Sequence, residues 1–138
     1  MKNSTDQKIV LVTGGARGIG AATCLQLAKA GYAVIVNYAA SQATADKLCE
    51  TIALAGGTAL ALQADVADEA QVLAMFAAID ARFGRLDALV NNASSFFQTP
   101  VGEITAAHWD DLMGTNLRAP LFLSQAAAPH LKARNGLI

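Results

Sequence analysis

Cysteine is scarce, and the two present, Cys24 and Cys49, lie far apart with no Cys or His partner at ligand spacing. That pattern gives neither a disulfide framework nor a metal site and leaves both thiols as small core residues. Net charge is nearly absent, at −1, so no basic surface for nucleic acid is indicated. No apolar run approaches the roughly 20 residues that span a bilayer, and the polar opening MKNSTDQK lacks a signal-peptide core. A cytoplasmic protein that partners neither a membrane nor nucleic acid is expected. What the chain does have is apolar residues, 54% of 138, too many for disorder and enough to bury the core of one domain. No repeat or linker divides it.

The stretch Ile9 to Gly20, IVLVTGGARGIG, organises the rest. A β-branched run ends in Thr13, glycines follow at positions 14, 18 and 20, and a helical Ala- and Leu-rich segment begins. Strand, tight turn and helix in that order bring the free N–H groups of a helix start to the turn, which suits a pyrophosphate. The spacing Gly-x-x-x-Gly-x-Gly differs from the commoner Gly-x-Gly-x-x-Gly.

Further elements follow in alternation. A helix over Ala21–Ala30 ends at Gly31, and Tyr32–Tyr38 reads as a second strand. Ser41 is placed to cap a helix carrying Ala45, Leu48, Ile52 and Ala55 at helical spacing, stopped by Gly56-Gly57. Thr58–Gln63 is a third strand. Asp68 and Gln71 have capping-box spacing ahead of a helix presenting Val72, Phe76, Ile79 and Phe83, and Leu86–Val90 after Gly84 is a fourth strand. A loop, NNASSFFQTP, leads to a short helix near Thr105–Met113 and a longer one over Asn116–Ala133, in which Pro120 and Pro129 can start, bend or end a segment. Gly136-Leu137-Ile138 looks like the opening of a fifth strand. Helix-length connections between strands call for parallel pairing and right-handed crossovers. The fold expected is α/β, a Rossmann-like doubly wound parallel sheet spanning residues 1–138, with about four strands plus the start of a fifth.

In such a sheet the ligand lies outside the carboxyl ends of the strands. Four strand ends supply that place: Thr13–Gly20, Asn37–Ser41, Asp65-Val66 and Asn91–Ser95. An acidic residue at the end of strand two would hold a ribose diol, but Asn37-Tyr38-Ala39-Ala40-Ser41 has none, while Arg17 and Ser41 offer a cation and a hydroxyl. NADPH is therefore favoured over NADH.

The motifs Thr13-Gly14-Gly15-Ala16-Arg17-Gly18-Ile19-Gly20, Asp65-Val66, Asn91-Asn92-Ala93 and Asn116, in this order, resemble the classical short-chain dehydrogenase/reductases. The resemblance implies that Gly14, Arg17, Gly18, Ile19 and Gly20 cradle the cofactor, that Asp65 and Val66 border its adenine, and that Asn91, Asn92 and Ala93 shape the floor near the nicotinamide ribose. It casts Asn116 as the Asn of an Asn-Ser-Tyr-Lys tetrad, holding a proton-relay water. On the residues alone, Asp65 as a turn residue and Asn116 as a helix cap remain as alternatives. Where most relatives have Gly after Asn-Asn-Ala, this chain has Ser94-Ser95-Phe96-Phe97, which resembles the pteridine reductase branch. There the residue matching Ser94 contacts cofactor and pterin, and that matching Phe96 stacks the pterin, as suits a flat heteroaromatic. Phe96 and Phe97 as loop anchors in a reductase for another carbonyl or imine is the alternative. His108 and Trp109 read as packing or surface residues, and His130 as a solvated residue near a helix C-terminus.

The family's catalytic Ser, Tyr and Lys have no counterpart here. Tyr32 and Tyr38 lack a Lys four residues on, so no positioned proton donor is evident. The expectation is a C-terminally incomplete reductase domain, inactive alone, whose fourth strand is an apolar edge. By resemblance the whole protein is a homotetramer. A non-catalytic nucleotide-binding or interaction module is the competing reading.

Overall fold

A computed structural model describes residues 6–138. Four parallel strands, β1 (Ile9–Val12), β2 (Ala33–Tyr38), β3 (Thr58–Gln63) and β4 (Ala88–Val90), form a sheet in the order β3-β2-β1-β4. Helices α1 (Gly18–Lys29), α2 (Gln42–Leu54) and α3 (Glu69–Phe83) make the crossovers, and α4 (Ala106–Met113) and α5 (Ala119–Arg134) follow β4. In register, Val10 pairs with Val34 on one side and Ala88 on the other.

Alternation along the central strands fixes which helix packs where, because successive side chains leave a strand on opposite faces. Ile9, Leu11, Ala33 and Ile35 pack with Val72, Met75, Phe76 and Ile79 of α3 and Leu123, Ala127 and Leu131 of α5. Val10, Val12, Val34 and Val36 pack with Cys24 of α1 and Ala45, Leu48 and Ile52 of α2. Both faces are thus covered, the condition for an all-parallel sheet. Its strand order reverses at β1, between β2 and β4.

The caps depart from the sequence reading in informative ways. Asp68 accepts from the Gln71 N–H at 3.2 Å as expected, but the Gln71 side chain reaches past the cap and its Oε1 accepts from the Asp65 N–H at 2.8 Å. Ser41 occupies the N-cap of α2 without a side-chain bond to it. His108, read as packing or surface, completes a capping box: Nδ1 accepts from the Thr105 N–H while Thr105 Oγ1 accepts from the His108 N–H, both at 3.2 Å. Its ring also lies 5.2 Å from that of Phe97. His130 is not simply solvated. It stacks on Phe76 at 6.3 Å and sits 3.4 Å from the Asp80 carboxylate.

The longer C-terminal helix does not start at Asn116. A π-helical turn, Gly114–Arg118, joins α4 directly to α5, with the Ala119 N–H donating to Gly114 O five residues back. Pro120 sits in the first turn of α5, where its missing N–H costs little, and Pro129 lies inside the helix. Asn135 ends α5 with φ +51°, in the left-handed region.

β4 is also shorter than Leu86–Val90. Ahead of it the buried Asp87 carboxylate accepts from the Ile9 N–H at 2.8 Å and from Arg85 Nε at 2.9 Å. Nor is its outer edge bare. Leu89 N–H donates to Leu137 O at 3.0 Å and Leu137 N–H to Asp87 O at 3.2 Å, a parallel bridge that begins a fifth strand's pairing.

Candidate functional site

The glycine turn that follows β1 is tied to the end of β4 and the residue pair after it. Thr13 N–H donates to Val90 O at 3.1 Å, and Asn92 Nδ2 donates to Thr13 O and Gly14 O at 2.9 and 3.1 Å. Gly14 and Gly18 have φ of +59° and +56°, a region that only glycine enters without strain. Gly20 is required for a different reason: a Cβ there would run into Gly14 O and stand 2.6 Å from Asn92 Nδ2. A Cβ at Gly18 would meet nothing within 4 Å, so the turn opens outward there.

Arg17 is the N-cap of α1, in extended conformation and without a side-chain bond to the helix. The first intrahelical bond runs from the Ala21 N–H to Arg17 O, so the N–H groups preceding it at the helix start are available to an anion.

These elements enclose a cleft of about 440 Å³ at the carboxyl ends of all four strands. Of the residues singled out from sequence, Gly14, Arg17, Ile19, Gly20, Asn37, Tyr38, Ala39, Ala40, Ser41, Asp65, Val66, Asn92, Ala93 and Ser94 line it. Ala16 of the glycine motif also lines it, as do Ala64 and Thr115, which were legible only as neighbours of motif residues. Gly18, Asn91, Phe96 and Asn116 do not line it.

Several side chains prove to be occupied by the protein itself. Asn37, assigned to the cofactor, is buried, and its amide is bonded to Gly14, Leu62 and Ala64. Asn91 turns away to the Ser124 hydroxyl at 3.4 Å. Asn116 pairs its amide with one residue, accepting from the Ser95 N–H at 3.0 Å and donating to Ser95 O at 2.8 Å. Ser95 Oγ in turn donates to the Asp111 carboxylate at 2.6 Å. Together these bonds tie the 91–105 loop to α4 and the π turn.

Asp65 closes a turn and also lines the cleft. Its Oδ1 accepts from the Ala67 N–H at 2.9 Å, closing a turn, while the residue stays exposed at the cleft wall. Ser41 and Arg17 line the cleft with no hydrogen bond to their side chains among the described residues. Phe96, 87% exposed, stands on the loop beside the cleft. Behind the turn, burial together with the nearby Cys49 pushes the Cys24 thiol up to about 12, which makes it inert as a nucleophile at neutral pH.

Residues 8–138 match the sequence profile described as short chain dehydrogenase. The chain belongs to that family. Among curated relatives, the oxidoreductase YgfF of Escherichia coli is 45% identical over 93% of this chain and 52% of its own length. The 3-oxoacyl-[acyl-carrier-protein] reductase FabG of Staphylococcus aureus is 42% identical over 95% and 54%. Among solved structures, a metagenomic short-chain oxidoreductase in complex with NADP superposes with a TM-score of 0.89 at 32% identity, covering 96% of this chain and 61% of that one. A Burkholderia cenocepacia short chain dehydrogenase in complex with NADP gives 0.86 at 41%, covering 90% and 51%. The chain spans about half the length of the curated relatives it matches.

Among the described residues, no group of three or more His, Cys, Asp or Glu is arranged to hold a metal, and no helix is long and apolar enough to cross a membrane.

Proposed function

We propose that this chain supplies the cofactor half of a cytoplasmic NADPH-dependent reductase, transferring hydride to the C=N or C=O group of a small molecule. The observation that carries this is the cleft at the strand ends. Glycine turn, helix start, Arg17 and Ser41 line it, and no acidic residue stands at the end of β2. The free N–H groups of the helix start suit a pyrophosphate. Arg17 and Ser41 suit a 2′-phosphate, which an acidic residue at the end of β2 would repel. Asp65 and Val66 border the adenine, and Asn92, Ala93 and Ser94 the nicotinamide side. Bound NADPH supplies the hydride. The chain's own residues bind and orient the cofactor, and the sequence carries no Tyr-x-x-x-Lys to donate a proton, so the chain alone is expected to be inactive.

For the substrate, we read a pterin or a similarly flat heteroaromatic. The support is Phe96, a large aromatic exposed on a loop that the Asn116–Ser95 bonds hold beside Ser94. Likeness to a 3-oxoacyl reductase favours an acyl carbonyl as the second reading. Association as a tetramer is supported by Leu117 and Leu121, both exposed along the π turn and α5.

Fluorescence titration with NADPH and NADH tests the cofactor reading. Preference for NADPH is expected, and binding of neither would leave only the non-catalytic interaction module. Initial rates of the whole protein with dihydrobiopterin and with a 3-oxoacyl thioester separate the substrates. A rate with the thioester alone would remove the pterin.

A further inference from the structure

Asn37 is 1% exposed, yet it stands at the point where β2 opens into the cleft. Four hydrogen bonds converge on it. Its Oδ1 accepts from the Gly14 N–H at 3.2 Å and its main-chain oxygen from the Gly15 N–H at 2.8 Å. On the other side Nδ2 donates to Ala64 O at 3.0 Å and to Leu62 O at 3.4 Å. A primary amide presents an acceptor to one neighbour and donors to another from the same planar head, whereas an ionised carboxylate accepts only and an apolar isostere does neither.

Those partners belong to two different walls. Gly14 and Gly15 open the turn that leads to the N-terminus of α1, and Ala64 immediately precedes Asp65. We propose that Asn37 is a positioning residue that ties the glycine turn to the end of β3, setting the spacing of the pyrophosphate and adenine walls without itself touching the cofactor. The proposal rests on the dinucleotide reading of the cleft. It also assigns the anion to the N–H groups from Ala16 onward, because Asn37 has already taken those of Gly14 and Gly15. Both N–H hydrogens of its amide are used, so it has no donor left to offer a 2′-phosphate.

The test compares the parent protein with Asn37→Ala and Asn37→Asp by titration with NADP+ and NAD+, read on protein whose folding is checked by circular dichroism. Asn37→Ala is expected to weaken both cofactors by about tenfold, leaving the ratio of their dissociation constants within about twofold of the parent. Asn37→Asp distinguishes positioning from bulk stability. Its carboxylate opposes two carbonyl oxygens, but when protonated it again offers an acceptor to Gly14 and a donor to Ala64. NADP+ affinity of this variant is therefore expected to recover several-fold between about pH 8 and about pH 5.5, relative to the parent. Arg17, Tyr38 and Asp65 around the cleft and the Cys24 thiol behind Gly15 are common to both proteins and cancel in that comparison.

An unchanged affinity in Asn37→Ala, a shifted NADP+ to NAD+ ratio, or no recovery in Asn37→Asp would each overturn the proposal while leaving the cofactor reading standing. Absence of binding by the parent would remove both. Should Asn37→Ala not fold, the pH arm with Asn37→Asp decides alone.

Discussion

Thr13 and Asn92 hold each other across the ends of β1 and β4. Thr13 Oγ1 accepts from the N–H groups of Asn92 and Ala93, each at 3.0 Å, and Asn92 Nδ2 returns a bond to Thr13 O at 2.9 Å. Gly14 O takes the second amide hydrogen. The cleft is thereby closed at the strand-order reversal by side chains that act on main chain rather than on ligand. Asn92→Ala removes two donors from part-buried carbonyls and should cost about 1–3 kcal/mol. Urea unfolding of the two proteins would read this directly, and NADP+ affinity should fall with it because the turn loses its brace.

The glycines of the turn should separate by cause. Gly20→Ala places a Cβ against Gly14 O and Asn92 Nδ2, so main chain has to move and cofactor binding should be lost together with stability. Gly18→Ala meets open space and carries only the penalty of a left-handed backbone, about 1–2 kcal/mol. Gly18→Asn should cost less, since Asn enters that region more readily. Thermal unfolding midpoints of the three variants should therefore fall in the order Gly18→Asn, Gly18→Ala, Gly20→Ala from highest to lowest.

Arg17 and Ser41 are the side chains placed to read the 2′ position. Arg17→Ala should weaken NADPH about tenfold or more, as loss of a charge-assisted pair does, and leave NADH nearly unchanged. Ser41→Ala should show the same sign with a smaller factor. Because Ser41 makes no side-chain bond to α2, its removal should leave the unfolding midpoint within experimental scatter. An unmoved NADPH to NADH ratio in both variants would take the 2′-phosphate away from this end of the cleft.

Phe96 is so exposed that Phe96→Ala should alter stability by no more than about 0.5 kcal/mol. In the whole protein it should depress turnover of dihydrobiopterin strongly while NADPH affinity stays put. Parallel loss of both would identify Phe96 as a loop anchor instead.

Asp87 makes stability depend on pH. Burial works to raise its carboxyl, but hydrogen bonds from Arg85 and the Ile9 N–H, with the charges of Arg85 and Arg134, outweigh burial and hold it below the usual range. A value lower in the folded than in the unfolded chain contributes stability that is complete above the unfolded value, about 3.9. That contribution fades as pH falls through the folded value. Asp87→Asn should cost about 3 kcal/mol at neutral pH, where it breaks the pair with Arg85. The difference between variant and parent should narrow below about pH 4 in denaturant titrations.

The order of elements, the parallel sheet and the placing of most cleft residues were legible because they depend on local signals. Period-two strands, period-three-to-four helices and glycine stops are properties of neighbouring residues, and in an α/β sheet with helix-length crossovers they leave few topologies. What the sequence could not assign was which polar side chains serve the ligand and which serve the protein. Asn37, Asn91 and Asn116 carry the same amide. Asn37 is spent on two walls of the cleft, Asn91 on Ser124 and Asn116 on Ser95, partners from 21 to 33 residues away in the chain. The same holds for the π turn at Gly114–Arg118 and for Leu137 on the edge of β4, where distant backbone decides the pairing. Composition and periodicity determined the layers of this protein. Only tertiary contact decided the job of each amide, because a hydrogen bond is assigned by geometry between segments that the local pattern does not relate.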